Sequence, residues 1–302
     1  MKTKIIKCDE CRVTSVEETL RLRPAHPRHP SSATLAAPKR GEGGRCRSAF
    51  TIVELLTVIA IIAILAAILL PTLGAARVQA QKKQAQLQIR DLATQIQNYD
   101  SAYSRMPVSS GTPTSAQTLA MQNGGMFTYG GVFQTSVNGV LWPATPLPAN
   151  YYPSNTEVIA ILMDVTNTAV TMVNQNHQKN PQQTMFLNAK ASNWDPSQGG
   201  APQAGVGNDL VYRDPWGNPY VITMDLNADN QCLDPFYKLS NVSGTSGNTA
   251  PGANGLIDPD GMADNFRFHG NVMVWSAGPD GKVDPGVGAN NGVNKDNILS
   301  WQ

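Results

Sequence analysis

The sequence predicts an α+β protein in which a long N-terminal α-helix packs on a C-terminal antiparallel β-sheet head, the helix being transmembrane in its first half and amphipathic in its second. Three observations lead there. Residues 50–70 form an almost unbroken apolar run, a three- and four-residue apolar period continues from it to Tyr103, and short β-type runs between turn residues fill the rest.

The first 49 residues differ in kind from the rest of the chain. They carry eleven Lys/Arg against five Asp/Glu, whereas the remaining 253 carry twelve against seventeen. A basic leader precedes a mildly acidic protein, and an acidic surface lacks the clustered cations that nucleic acid requires. Pro24, Pro27, Pro30 and Pro38 break any helix in the leader. The Cys8-x-x-Cys11 pair has no second pair at ligand spacing, only Cys46 with His26 and His29, so a zinc site is not expected there.

Residues 50–70 are long enough to cross a bilayer core. One carboxylate, Glu54, sits near the start. A central charge in a membrane helix costs on the order of 2.5–3.5 kcal/mol, so the acid needs a partner or a route to the interface. If the chain is cut between Ala49 and Phe50, the new amino group becomes a cation at the head of the same helix, and a neighbouring copy can bring it to Glu54. A secretory signal peptide would place its apolar core before the cut, whereas here the basic cluster Arg45-Cys-Arg47 lies immediately ahead of Phe50.

Basic leader, small residue, then Phe50-Thr51-Ile52-Val53-Glu54-Leu55-Leu56 and an apolar stretch resembles the processing site of type IV pilins and type II secretion pseudopilins. The resemblance implies that prepilin peptidase removes residues 1–49 on the cytoplasmic side and N-methylates Phe50. It also implies that Glu54 meets the Phe50 amine of an adjacent subunit during filament assembly. Ala49 stands where the family usually has Gly, and it is likewise a small residue.

Pro71 is expected to bend the helix rather than stop it, because the pattern resumes at once. Ala85, Ile89, Leu92, Ala93, Ile96, Tyr99 and Tyr103 recur on one face, with polar residues between them. Residues 71–105 are therefore an amphipathic stalk. A helix from Phe50 to about Ser104 would span roughly 80 Å at about 1.5 Å per residue.

The head, 106–302, opens with a Gly-, Ser-, Thr- and Pro-rich stretch to about Pro153, expected to be loop with short strands. Asn155-Thr156-Glu157 reads as a polar cap before a short helix. Strands are expected at Thr184–Leu187, Asp209–Tyr212, Tyr220–Leu226, Phe236–Leu239 and Asn271–Ser276. Between two of them, Asp214-Pro-Trp-Gly-Asn218 is a turn by chemistry, with Trp216 as an expected packing anchor. Asp225–Asp229 and Asp258–Asp264 read as acidic turns, the first lacking the Gly and Glu of a calcium-binding EF-hand loop.

Asp214-Pro-Trp-Gly-Asn-Pro-Tyr220, Ser276-Ala-Gly-Pro-Asp-Gly281 and Asp296-Asn-Ile-Leu-Ser-Trp301 together resemble the head of the major pseudopilin. In that family the loop after the second motif binds Ca2+. The matched positions are Asp280 and Asp296, and Asp284 is an added candidate; oxygen-rich, Gly-containing loops suit calcium. The enlarged middle, 106–210, is not accounted for by the resemblance.

An enzyme is not expected. His177 and His269 have no obvious partners, and there is no nucleophile elbow, phosphate loop or zinc cluster. The expected function is a structural subunit of a type II secretion-type pseudopilus. Its expected place is the bacterial inner membrane, single-pass in lipid with the head in the periplasm. Its partners would be itself, minor pseudopilins, prepilin peptidase and the inner-membrane assembly platform, with no nucleic acid. Two alternatives stand beside it: a membrane-anchored, calcium-dependent surface binding protein, and a type IV pilus subunit for adhesion or DNA uptake. The second often carries a disulfide-closed loop, which a mature region with only Cys232 cannot form.

Overall fold

The structure, a computed structural model, describes residues 51–302 apart from 167 and 245–251, and at 71 and 72 the backbone alone. The described residues fall into two compact units divided between Leu56 and Thr57. The first holds the opening turn of helix α1 (Ile52–Tyr103), the second everything after it.

Helix α1 continues through Pro71 as one element. Its large apolar side chains from Ile52 to Leu70 are exposed on all sides. A helix apolar all round has no polar face to turn to water and suits the interior of a bilayer. Farther along, Ala85, Ile89, Leu92, Ile96 and Tyr99 are completely buried, at alternating spacings of four and three. The amphipathic half is as the sequence predicts.

After α1 come α2 (Ala116–Gln122), β1 (Met126–Tyr129), β2 (Phe133–Gln134), β3 (Leu141–Trp142), β4 (Tyr151–Tyr152) and α3 (Thr156–Leu162). The chain then forms β5 (Gly205–Val206), β6 (Tyr212–Arg213), β7 (Val221–Asp225), β8 (Gln231–Cys232), α4 (Ser240–Ser243), β9 (Phe268–His269), β10 (Val272–Ser276) and β11 (Ile298–Leu299). Five strands make the main sheet in the order β11-β10-β7-β1-β4. Three of its pairings are antiparallel, but β4 joins β1 in parallel, with Thr128 opposite Tyr151. The head sheet is therefore mixed rather than purely antiparallel.

Strands β7 and β10 are buried on both faces. Ile222, Met224, Val272 and Val274 face the stalk residues Ile89, Leu92 and Ile96. Val221, Met273 and Trp275 face Phe133, Trp142, Phe236 and Tyr237. Alternate residues of a strand point to opposite faces, so a sheet covered on both sides needs runs that are nearly all apolar.

Several expected elements differ. Thr184–Leu187 is irregular because the amides of Phe186 and Leu187 are spent on the Leu162 carbonyl at the end of α3. Phe236–Leu239 is a turn: Asp234 Oδ1 accepts the amides of Phe236 and Tyr237 at 2.9 and 3.0 Å, which curls the backbone away from any ladder. Asp209–Tyr212 is strand only from Tyr212, since Asp209 accepts the Val211 amide in a local turn. Asn155 does not cap α3. Its side chain instead bridges two segments, accepting the Tyr212 amide and donating to the carbonyls of Tyr212 and Tyr220. Trp216 is half-buried and outside both cores, and Trp142 and Trp275 fill the place expected of it.

Candidate functional site

The first site is the start of α1. Thr51 precedes the helix, and Glu54 lies in its first turn. Thr51 N and Thr51 Oγ1 both donate to Glu54 Oε2 at 2.8 Å, and Glu54 N donates back to Thr51 Oγ1 at 3.3 Å. This is a capping box, in which a hydroxyl residue and a Glu three positions later satisfy each other's backbone amides. An acid there also faces the positive end of the helix dipole. Glu54 thus does not depend on another copy alone, because its own helix gives it two hydrogen bonds. Sequence reasoning missed Thr51, although Thr-x-x-Glu before an apolar run is a readable signal. Ala49, Phe50 and the Cys8/Cys11 pair lie outside the described residues.

The second site is the acidic loop between β10 and β11. Asn218 Nδ2 donates to the Gly278 carbonyl at 2.9 Å, tying the loop to the Asp214–Asn218 turn. Gly278 has φ +70°, and a Cβ there would strike the Asp296 carbonyl, so this close crossing requires glycine. Asp280 and Asp296 are brought together: burial pushes the Asp296 carboxyl up, and the charge of Asp280 adds to it. Asp296 Oδ1 and Asn297 Oδ1 are buried without a hydrogen-bond partner. Asp284 is engaged otherwise, accepting the Gly286 amide at 2.8 Å with one oxygen and the Ser136 hydroxyl with the other. Among the described residues, no three His, Cys, Asp or Glu side chains converge as metal ligands. Calcium also takes carbonyl and amide oxygens. The partnerless Asp296 Oδ1, with the Asp280 charge near its carboxyl, suits such an ion, while each Asp284 oxygen already accepts a hydrogen bond.

Two buried aspartates hold this region in place. Trp275 and Ser276 are successive residues of β10, so their side chains take opposite faces. Ser276 Oγ donates to Asp214 Oδ2 at 2.6 Å, while Trp275 Nε1 donates to Asp234 Oδ2 at 3.0 Å. Asp214 also accepts the amides of Trp216 and Asn218, as the turn chemistry predicts, and Thr223 Oγ1 donates to Asp234 at 2.7 Å. The second aspartate, in Asp234-Pro-Phe236, is a repeat of the Asp-Pro-aromatic pattern that the sequence reading did not use.

The remaining candidates make local contacts in the fold. Asp225 accepts the amides of Asn227, Ala228 and Asn230, which makes the β7–β8 turn. In the Asp258–Asp264 turn, Asp260 pairs with Arg267 and Asp264 accepts the Ser240 amide. His177 does have a partner: its Nδ1 lies 2.8 Å from Asp164 Oδ1. Cys232 is buried, and burial pushes its thiol far above the ordinary range.

The chain matches one family description, the prokaryotic N-terminal methylation motif, over residues 44–70. No curated protein and no solved structure matches it. The matched segment takes in Ala49, Phe50 and Glu54 and supports a type IV pilin-like prepilin, processed by prepilin peptidase and assembled into filaments.

Proposed function

We propose that the protein is a structural subunit of a type II secretion-type pseudopilus, without catalytic activity, whose filament drives protein export. The methylation motif with Glu54 at its fifth mature position carries this reading. The single buried cysteine after residue 49 favours it over a disulfide-looped pilus subunit. Subunits cleaved before Phe50 wait in the inner membrane with the head in the periplasm. An assembly platform lifts them out, minor pseudopilins complete the fibre, and helices of the α1 type stack on one another. Glu54 changes partner in this step: it caps its own helix in the isolated chain and takes the Phe50 amine of a neighbour in the filament.

Glutamine can replace glutamate in a capping box, which separates the two roles. Glu54→Gln keeps the cap and removes the charge. Filament yield and export should fall in Glu54→Gln as far as in Glu54→Ala. Normal assembly of Glu54→Gln would reduce the acid to a helix cap and end the reading.

We further propose that Ca2+ sits in the acidic loop, held by Asp280 and Asp296, and stiffens it for subunit contact. A site filled to 100 times its Kd stabilises the fold by about 2.7 kcal/mol. Chelation should therefore lower the melting temperature of the wild type and leave Asp280→Asn unmoved. Equal melting with and without chelator in the wild type would show that no ion stabilises the loop.

A further inference from the structure

Between the apolar half of α1 and the part that carries the head lies a stretch of bare helix. Residues 73–80 are all exposed, and the first completely buried residue of the stalk is Ala85. Leu73, 68% exposed, extends the apolar run past Pro71.

The charges along this stretch have one sign. From Leu55 to Arg90 the chain carries Arg77, Lys82, Lys83 and Arg90 and no Asp or Glu, whereas beyond residue 90 acids outnumber bases by sixteen to eight. Arg77 and Lys83 are exposed, and Lys82 is half-buried. Among the described residues, none of these three forms an ion pair. Burial and Asp280 push the Asp296 carboxyl up and the Lys82 charge draws it down, so the field of Lys82 also reaches the head.

Helix geometry sets where the cations stand. At about 1.5 Å per residue, Arg77 lies about 6 Å beyond Leu73 and Lys83 about 15 Å beyond it. A headgroup layer is about 5–7 Å deep on each side of the hydrocarbon. Cα–Cβ bonds tilt toward a helix N-terminus, here toward the apolar half, and long basic side chains snorkel with their charge at the interface. At about 100° per residue, Lys82 and Lys83 point about 140° and 240° round the axis from Arg77. A docking protein meets one face of a helix. A leaflet surrounds it on every side.

We propose that Arg77, Lys82 and Lys83 form a collar that binds anionic phospholipid headgroups at the bilayer surface. The proposal rests on the reading of residues 50–70 as a span of that bilayer. Charge complementarity and continuity with the exposed apolar surface of α1 select this partner.

Electron spin resonance of the full chain, reconstituted in phosphatidylcholine bilayers with trace spin-labelled phosphatidylglycerol or spin-labelled phosphatidylcholine, tests it. Lipid beside a span is motionally restricted, so the restricted fraction reports insertion and its ratio between the two labels reports headgroup preference. The anionic label should be preferred at low salt. That preference should fall at least about fivefold, roughly the effect of one surface cation, in Arg77→Gln/Lys82→Gln/Lys83→Gln. Glutamine is a good helix former, and the leader's cations are unchanged in that variant, so their contribution cancels. Arg90, farther along and already bonded to the Gln302 carbonyl, serves as the control, and Arg90→Gln should leave the preference as it was. In 1 M salt, where the Debye length is about 3 Å, the preference should largely vanish. Equal restriction of both labels, a preference that the triple variant keeps, or an equal fall in Arg90→Gln would overturn the collar alone. No restricted lipid of either kind would remove the span and the collar with it.

Discussion

Thr51 and Glu54 show how little sequence a helix start requires: one hydroxyl and one carboxylate, three residues apart, satisfy each other's amides. The buried aspartates work on the same principle with higher stakes. Asp214 accepts from Trp216, Asn218 and Ser276, yet burial still lifts its carboxyl above the ordinary 3.8. A carboxyl that holds its proton to higher pH when folded than when unfolded favours the native state in acid. That contribution is full below the unfolded value and is lost as pH rises through the folded one. Urea unfolding of wild type and Asp214→Asn across pH 4–7 should show the wild type losing stability relative to the variant as pH rises. A difference that stays constant with pH would contradict the assignment. Asp214 was legible because Pro215 and Gly217 flank it in a turn pattern. Asp234 has only Pro235 beside it, and its partners Thr223 and Trp275 come from strands that meet it only in the fold.

At the scale of elements, α1 was legible because its period is long and its apolar face is continuous. Leu92 is fully buried against the sheet, while Leu87, on the other side of the same helix, is 70% exposed. Leu92→Ala should cost about 2–5 kcal/mol in denaturant unfolding, and Leu87→Ala should stay within about 0.5 kcal/mol. Comparable losses at both positions would show that the helix does not bury the face assigned to it. Strands β7 and β10 were legible as apolar, β-prone runs. The runs that failed lose their amides to other acceptors: to Asp234 at 236–237, to the Leu162 carbonyl at 186–187 and, within the run itself, to Asp209 at 211. Helix α2 and the parallel strand β4 lie in the stretch with little apolar period. Their places depend on tertiary contacts such as the pairing of Thr128 with Tyr151, which no local pattern announces.

At the scale of the whole molecule, the chain joins two kinds of surface. Its N-terminal segment carries a methylation motif and an apolar helix whose side chains are exposed all round, and its head buries both faces of a mixed sheet. The first kind of surface implies lipid or other copies of the same helix, since water does not tolerate so much exposed apolar area. The second implies a folded body that such a helix can carry. The acidic loop belongs to that body. The loop's place was legible from its Asp and Gly residues. The central claim, that this is a prepilin-type filament subunit, is tested most directly by mass spectrometry of the protein recovered from bacterial membranes that contain prepilin peptidase. A mature chain beginning at N-methylated Phe50 is the expected result; an uncut chain, or a cut at any other bond, would contradict it.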